Sequence, residues 1–202
     1  MNLPNKLTIT RMVLSVIVIL ILVFPFDSAG LNFPKLFISE SIVVDIKYFI
    51  AGALFIIASV TDFLDGHIAR KYNLVTDFGK VMDAIADKVL VNSVLIILSA
   101  SGFIHPIIPV IVITRDSVVN SIKMVAGNNG RVVAAIKSGK LKTIFLMCGI
   151  TLTLFYNLPF ELWNIKISDC LLVIAAILAL ISGIQYYYMN KDLLFKKNEI
   201  EK

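Results

Sequence analysis

Four carboxylates stand in two pairs between Thr61 and Lys88, in the stretch TDFLDGHIARKYNLVTDFGKVMDAIADK. Asp62 and Asp65 are three positions apart, and Asp83 and Asp87 are four apart. On a helix either spacing sets both side chains on one face. An apolar run precedes the first pair (Ala51 to Val60) and another follows the second (Val89 to Leu98). One pair therefore belongs near the C-terminal end of one apolar helix and the other near the start of the next. Side by side, those helices hold four carboxylates around one small volume.

Carboxylates that close repel one another, so such a cluster persists only if cations neutralise it or some acids stay protonated. Oxygen-only ligands suit hard divalent ions such as Mg, Mn or Ca. Two such ions a few ångströms apart form a clamp for phosphoryl chemistry. Gly66 and Gly79 are the only glycines in the stretch and permit tight turns or close approach of a phosphate to the backbone. Arg70 adds a bidentate phosphate donor. The purely structural alternative is an acidic patch paired with Arg70, Lys71, Lys80 and Lys88. It is disfavoured because four acids flanked by membrane-grade helices are costly without a role.

The pattern Asp62-x2-Asp65-Gly66-x2-Ala69-Arg70-x8-Gly79-x3-Asp83-x3-Asp87 resembles the signature of the CDP-alcohol phosphotransferase family at every fixed position. That resemblance implies an enzyme in which an alcohol attacks the β-phosphate of a CDP-linked substrate and CMP leaves. It also implies two divalent metal ions, Mg or Mn, with Asp62, Asp65, Asp83 and Asp87 as ligands. Asp87 is alternatively the general base that takes the proton of the attacking hydroxyl. Gly66, Ala69, Arg70 and Gly79 are then the expected neighbours of the CDP-diacylglycerol head group.

The elements that must position these residues are those of a membrane protein. Of the 202 residues 58% are hydrophobic and 16% charged, and mean hydropathy is +0.87, far from a soluble composition. The length suits one domain, 1-202. The formal charge of +5 speaks to orientation and anionic head groups and gives no reason to invoke nucleic acid. Cys148 and Cys170 lie in apolar stretches without metal spacing and read as small core residues.

Six spans are expected in an all-α integral membrane protein: about Met12 to Phe26, Tyr48 to Leu64, Met82 to Ser101, Ile107 to Val125, Thr143 to Tyr156 and Cys170 to Met189. No small-x-small cleavage site follows the first run, which reads as a retained helix. Pro4, Asn5 and Thr8 suit a capped helix start. Asp27 to Lys47 reads as a loop broken by Gly30 and Pro34, whose Leu36-Phe37-Ile38 run suits the membrane surface. His67 and His105 carry no assigned role. Arg115 and Asp116 interrupt the fourth run, and charges that deep face a polar interior, pair with each other or snorkel. Gly127 to Lys142 (GNNGRVVAAIKSGKLK) is basic and glycine-rich but lacks the GxxxxGK[ST] phosphate loop. Tyr186, Tyr187 and Tyr188 read as an interfacial belt.

Two further segments look like the branch of the family that uses glycerol 3-phosphate as acceptor. These are Asn2-x-Pro4-Asn5-x-Leu7-Thr8-x2-Arg11, and Thr114-Arg115-Asp116 with Lys137-Ser138-Gly139-Lys140-Leu141-Lys142-Thr143. The resemblance makes Asn5, Thr8 and Arg11 candidate ligands of CDP-diacylglycerol. It makes Arg115, Lys137, Ser138, Lys140 and Lys142 candidates for the glycerol phosphate. Asp116 stands where Glu is expected in that branch. A homodimer is also implied.

Of the 19 Lys and Arg residues, Lys35, Lys47 and Lys166 fall on one side of the six expected spans and the other 16 (19 − 3) on the opposite side. Positive residues favour the cytoplasm. Both termini, the acidic stretch and the basic loop therefore belong there, with the active site at the cytoplasmic membrane boundary of the cell membrane. The expected activity is phosphatidyl transfer from CDP-diacylglycerol to glycerol 3-phosphate. Within the family the alternative acceptors are inositol phosphate and serine. From another class the rival is a divalent-cation channel or transporter, which predicts acids near the bilayer midplane and no cytoplasmic basic loop.

Overall fold

A computed structural model describes residues 3–26, 29–30, 34–39, 42–72, 77–128, 130–131 and 133–195. Among them are six α-helices: α1 (Leu3–Val23), α2 (Ile46–Lys71), α3 (Asp77–Ala100), α4 (Ile107–Asn128), α5 (Lys137–Leu154) and α6 (Ile167–Phe195). A 3-10 turn, Phe160–Trp163, precedes α6. Two strands, β1 (Lys35–Ser39) and β2 (Ile42–Asp45), form an antiparallel hairpin. Lys35 pairs with Asp45, Leu36 with Val44 and Phe37 with Val43.

Each helix is longer than its expected apolar run, because its polar ends stay helical. α1 starts at Leu3, where Pro4 in the first turn has no intrahelical donor to lose. α5 starts at Lys137, so Lys137, Ser138, Lys140 and Lys142 belong to a helix and not to a loop. Part of the expected loop between α1 and α2 is instead the hairpin. Its β-branched Ile42-Val43-Val44 and the Leu36-Phe37-Ile38 run favour strands, and α2 begins directly after it.

Among the described residues, two stretches are long and apolar enough to cross a membrane, Asn5–Val23 and Ile167–Asp192. The other helices carry charge inside their length, at Asp62 in α2, Asp83 and Asp87 in α3, Arg115 and Asp116 in α4, and Lys142 in α5.

The chain divides into two compact units, Met1–Ile104 with Ile150–Ile167, and His105–Gly149 with Ser168–Lys202. In the first, α1 packs against α2 and α3. Its buried face reads Thr8, Arg11, Ser15, Val18 and Leu22, the three- and four-residue steps of one helical stripe. On α2 the stripe is Tyr48, Ala51, Phe55 and Ala58, and one turn further stands Asp62. On α3 it is Ala86, Leu90, Val94 and Leu98, with Asp83 and Asp87 at its N-terminal end. Both stripes thus change from apolar to acidic along one face.

At the other end of this unit, the rings of Tyr48, Phe103 and Tyr156 meet edge to face, with centroids 4.8 to 5.6 Å apart. The Asp45 amide donates to the Tyr156 hydroxyl at 3.3 Å. Gly52 gives Phe155 its room: a Cβ there would stand 2.8 Å from the ring.

In the second unit, α6 buries Leu172, Ala175, Ala179, Ser182, Tyr186 and Asn190 along one stripe. Gly149 on α5 lets Leu172 approach; a Cβ there would lie 2.8 Å from its side chain. Cys148 and Cys170 are exposed, which corrects their reading as core residues. An apolar position on a membrane-capable helix has two apolar environments to choose from, protein and lipid, so hydropathy does not say which side it takes.

Candidate active site

In the first unit Arg11 is the organising side chain. It is 1% exposed, the largest fully buried side chain among the described residues. Its Nη1 pairs with Asp62 Oδ1 on α2 and its Nη2 with Asp83 Oδ1 on α3. Nη2 also reaches the Asp83 carbonyl at 3.4 Å. One guanidinium fork thus joins three helices and offsets two carboxylates. A buried arginine needs such partners, since an unpaired charge there is prohibitively costly. Below it Ser15 donates to the Arg11 carbonyl at 2.8 Å.

The remaining candidates group around this point by helical register. Thr8 is buried one turn before Arg11 on the same stripe, and Asn5 is half-buried one further turn away. On α3, Gly79, Asp83 and Asp87 follow at steps of four, all half-buried. On α2, Gly66 follows Asp62 at the same step. The helix continues through Asp65, Ala69 and Arg70, whose side chains lie outside the described residues. Asp62 and Asp83 keep 36% and 48% of their side chains exposed. They can therefore accept another ligand.

Oxygen donors of this kind suit a hard divalent ion. Two carboxylate oxygens from different helices already face one cationic position, and Asp87 and Asp65 lie one turn away along the same helices. Among the described residues no three acidic, histidine or cysteine side chains stand close enough to hold an ion together. The four-carboxylate set, which includes Asp65, is larger than the set described.

The second unit holds a separate charged cluster. Asp116 on α4 accepts Lys142 Nζ at 2.9 and 3.0 Å and Arg115 Nη1 at 2.9 Å. Lys142 is 4% exposed, so this carboxylate carries a buried ammonium. Arg115 Nε donates to Ser182 Oγ at 2.9 Å, and Ser182 donates to the Ala179 carbonyl at 3.0 Å. The Arg115 guanidinium lies over the Tyr186 ring, 5.5 Å from its centroid, and Lys123 approaches the same ring at 5.5 Å. Tyr186 Oη accepts the Ile136 amide and donates to the Ala134 carbonyl, each at 3.3 Å. Small residues make the space: a Cβ on Gly139 would stand 3.1 Å from Arg115 Nη2, and one on Gly183 3.2 Å from Arg115 Cγ.

The structure brings Arg115 and Lys142 together through Asp116. Ser138 donates to Gln185 at 2.6 Å, while Lys137 and Lys140 are exposed on the first turns of α5. Sequence reasoning missed Ser182, Gln185 and Tyr186. Their signal was present: three polar-capable residues at steps of three and one in an otherwise apolar helix. Tyr186 is 3% exposed, packed with Val119 and Ile122. Only Tyr187 and Tyr188 are exposed as an interfacial belt requires.

The fold and these two clusters describe a helical, membrane-capable protein with an acidic centre on α2 and α3 and a basic cluster on α4 and α5. The CDP-alcohol phosphatidyltransferase family matches residues 1–185, and the chain belongs to that family. A protein of Bacillus subtilis (strain 168), named CDP-diacylglycerol--glycerol-3-phosphate 3-phosphatidyltransferase, is 40% identical over 98% of this chain and 99% of its own. A protein of Rickettsia typhi with the same name is 34% identical over 92% of this chain and 95% of its own. One from Wigglesworthia glossinidia brevipalpis, again so named, is 30% identical over 97% and 98%.

Proposed function

We propose that this protein transfers a phosphatidyl group from CDP-diacylglycerol to glycerol 3-phosphate, giving phosphatidylglycerophosphate and CMP. The observation that carries the reading is the convergence of Asp62 and Asp83 on one cationic point in a half-open site. The names of the full-length relatives support the choice of donor and acceptor.

The acceptor hydroxyl attacks the β-phosphorus of CDP-diacylglycerol. A new oxygen–phosphorus bond forms, the bond to the bridging oxygen breaks, and CMP leaves with that oxygen. Asp87 takes the hydroxyl proton. Two ions, Mg or Mn, held by Asp62, Asp65, Asp83 and Asp87 would neutralise charge on the pyrophosphate and the departing CMP. Arg11 fixes the relative positions of the Asp62 and Asp83 carboxylates. Asn5, Thr8, Arg70 and the small residues Gly66, Ala69 and Gly79 line the approach of the cytidine phosphates. In the second unit, Lys137 and Lys140 attract the acceptor phosphate at the exposed start of α5, and Arg115 and Lys142 bind it, with Ser138 beside them.

Six spans with both termini in the cytoplasm, and a site at the cytoplasmic membrane boundary, agree with the charge distribution. A homodimer follows from the family resemblance. A transport function is disfavoured because the acidic residues gather at one end of α2 and α3.

The test of the reaction is CMP release by the purified protein in detergent with CDP-diacylglycerol and Mg or Mn. Glycerol 3-phosphate, inositol phosphate and serine are offered separately. Asp87→Asn should abolish release; release at the wild-type rate would remove Asp87 from the mechanism.

A further inference from the structure

The hairpin and the turn before α6 carry apolar side chains that are exposed among the described residues. Phe37 is 76% exposed and Trp163 66%. Leu36, Ile38 and Val43 on the strands, and Leu162 and Ile165 on the turn, are also exposed. In β1 successive side chains point to opposite faces, so Leu36, Phe37 and Ile38 leave both faces of the ribbon apolar. Among the described side chains of the ribbon, Val44 is buried.

Ring contacts and hydrogen bonds hold these segments at one end of the unit. The hairpin leads straight into α2 at Ile46. The Tyr48, Phe103 and Tyr156 rings and the Asp45 amide tie its base to the chain beyond α5. Asn157 Nδ2 donates to Glu161 at 3.0 Å and to the Ile165 carbonyl at 2.7 Å, which fixes the turn bearing Trp163. The membrane-capable run of α1 ends at Val23, before the hairpin, and that of α6 begins at Ile167, directly after Lys166.

The distance along α2 decides what surrounds this end. From Ile46 to Asp62 the helix rises about 24 Å at ~1.5 Å per residue. The hydrocarbon core of a bilayer is about 30 Å thick. With the carboxylates at one membrane face, Ile46 comes within about 6 Å of the opposite hydrocarbon boundary, which assigns the hairpin and Trp163 to that interface. Lys35, Lys47 and Lys166 flank the apolar residues beside Asp45 and Glu161, with Lys47 3.6 Å from Asp45, and Lys side chains can reach head-group phosphates while their stems stay in apolar surroundings. Trp is enriched at that depth. A docking protein would cover one face of a ribbon, whereas the head-group boundary surrounds both.

We propose that the β1–β2 hairpin and the Phe160–Trp163 turn form a lipid anchor. Phe37 and Trp163 insert into the head-group boundary of the leaflet opposite the carboxylates and hold α1 and α2 at a fixed depth. This rests on the membrane-spanning reading of α1 and α6, and not on the identity of the acceptor.

Trp163 is the only tryptophan in the chain and reports its own surroundings. The experiment uses the full-length protein in vesicles of phosphatidylcholine and phosphatidylglycerol. The lipids carry nitroxide either near the head group or deep in the acyl chain, and iodide is the aqueous quencher. The expected result is a blue-shifted Trp163 emission, quenched more by the shallow nitroxide than by the deep one and unaffected by iodide. Phe37→Trp in a Trp163→Phe background should give the same pattern from the hairpin. Quenching by iodide at either position overturns the anchor. So does stronger quenching by the deep label. Protection from both quenchers also overturns it, and assigns the surface to a protein contact such as a second copy. CMP release measured in the same vesicles keeps failure of the anchor distinct from failure of the proposed reaction.

Discussion

Asp116→Asn should destabilise the protein and make it responsive to phosphate. Asp116 accepts two contacts from Lys142 and one from Arg115, and Lys142 is almost fully buried. The amide keeps the shape but takes the carboxylate's charge away from a buried ammonium. Removing one partner of a buried pair costs roughly 3–5 kcal/mol. Asp116 keeps a fifth of its side chain exposed, so the low end, about 3 kcal/mol, applies. For a chain of this size each kcal/mol moves Tm by ~2–4 °C, giving a loss of about 6–12 °C. An anion that binds Arg115 and Lys142 replaces the missing charge. At a concentration 100 times its Kd it returns about 2.7 kcal/mol. Thermal unfolding in detergent, with and without glycerol 3-phosphate, reads both effects. The variant should melt lower than wild type and gain more from the ligand, and Asp116→Glu should stay near wild type. A variant that melts with the wild type refutes the view that Asp116 neutralises a buried lysine. Equal ligand shifts in both proteins refute phosphate binding at these cations.

Arg11→Met should lower stability by roughly 1–2 kcal/mol, less than for a fully buried pair, because Asp62 and Asp83 then face each other without a cation while water still reaches both. Mg should restore part of that loss in a melting assay, which a purely packing role of Arg11 would not allow. Gly149→Ala should cost about 1–3 kcal/mol, since the new methyl stands 2.8 Å from Leu172 and 3.3 Å from its backbone nitrogen; an unchanged Tm would contradict the close α5–α6 approach. Tyr186→Phe removes the hydroxyl that joins Ile136 and Ala134 and should cost about 1 kcal/mol. Hydrogen exchange of the Ile136 amide should rise in the variant.

The acidic centre was legible because its chemistry is local. Asp62 and Asp83 sit where apolar helical stripes turn acidic, and spacing alone sets them on the faces that meet α1. Their common partner was less legible. Arg11 was singled out for a nucleotide ligand role; it also joins both carboxylates, and its contact with Asp83 spans 72 positions. The extent of α5 was hidden because KSGKLK has the composition of a basic loop, while its helix brings Lys142 inward to Asp116. The hairpin was hidden by its short strands and by the turn residues around it. Tyr186 and the two cysteines show one further limit. In helices that face both protein and lipid, hydropathy does not separate the buried side from the exposed one, and only the partners of each residue decide.

Phosphatidyl transfer to glycerol 3-phosphate is read out by acceptor-dependent CMP release from purified protein, CDP-diacylglycerol and Mg or Mn. Release should occur with glycerol 3-phosphate, not with inositol phosphate or serine, and not from Asp87→Asn. Release with a different acceptor would contradict the proposed substrate, and a folded protein that releases no CMP with any of the three would contradict the proposed reaction.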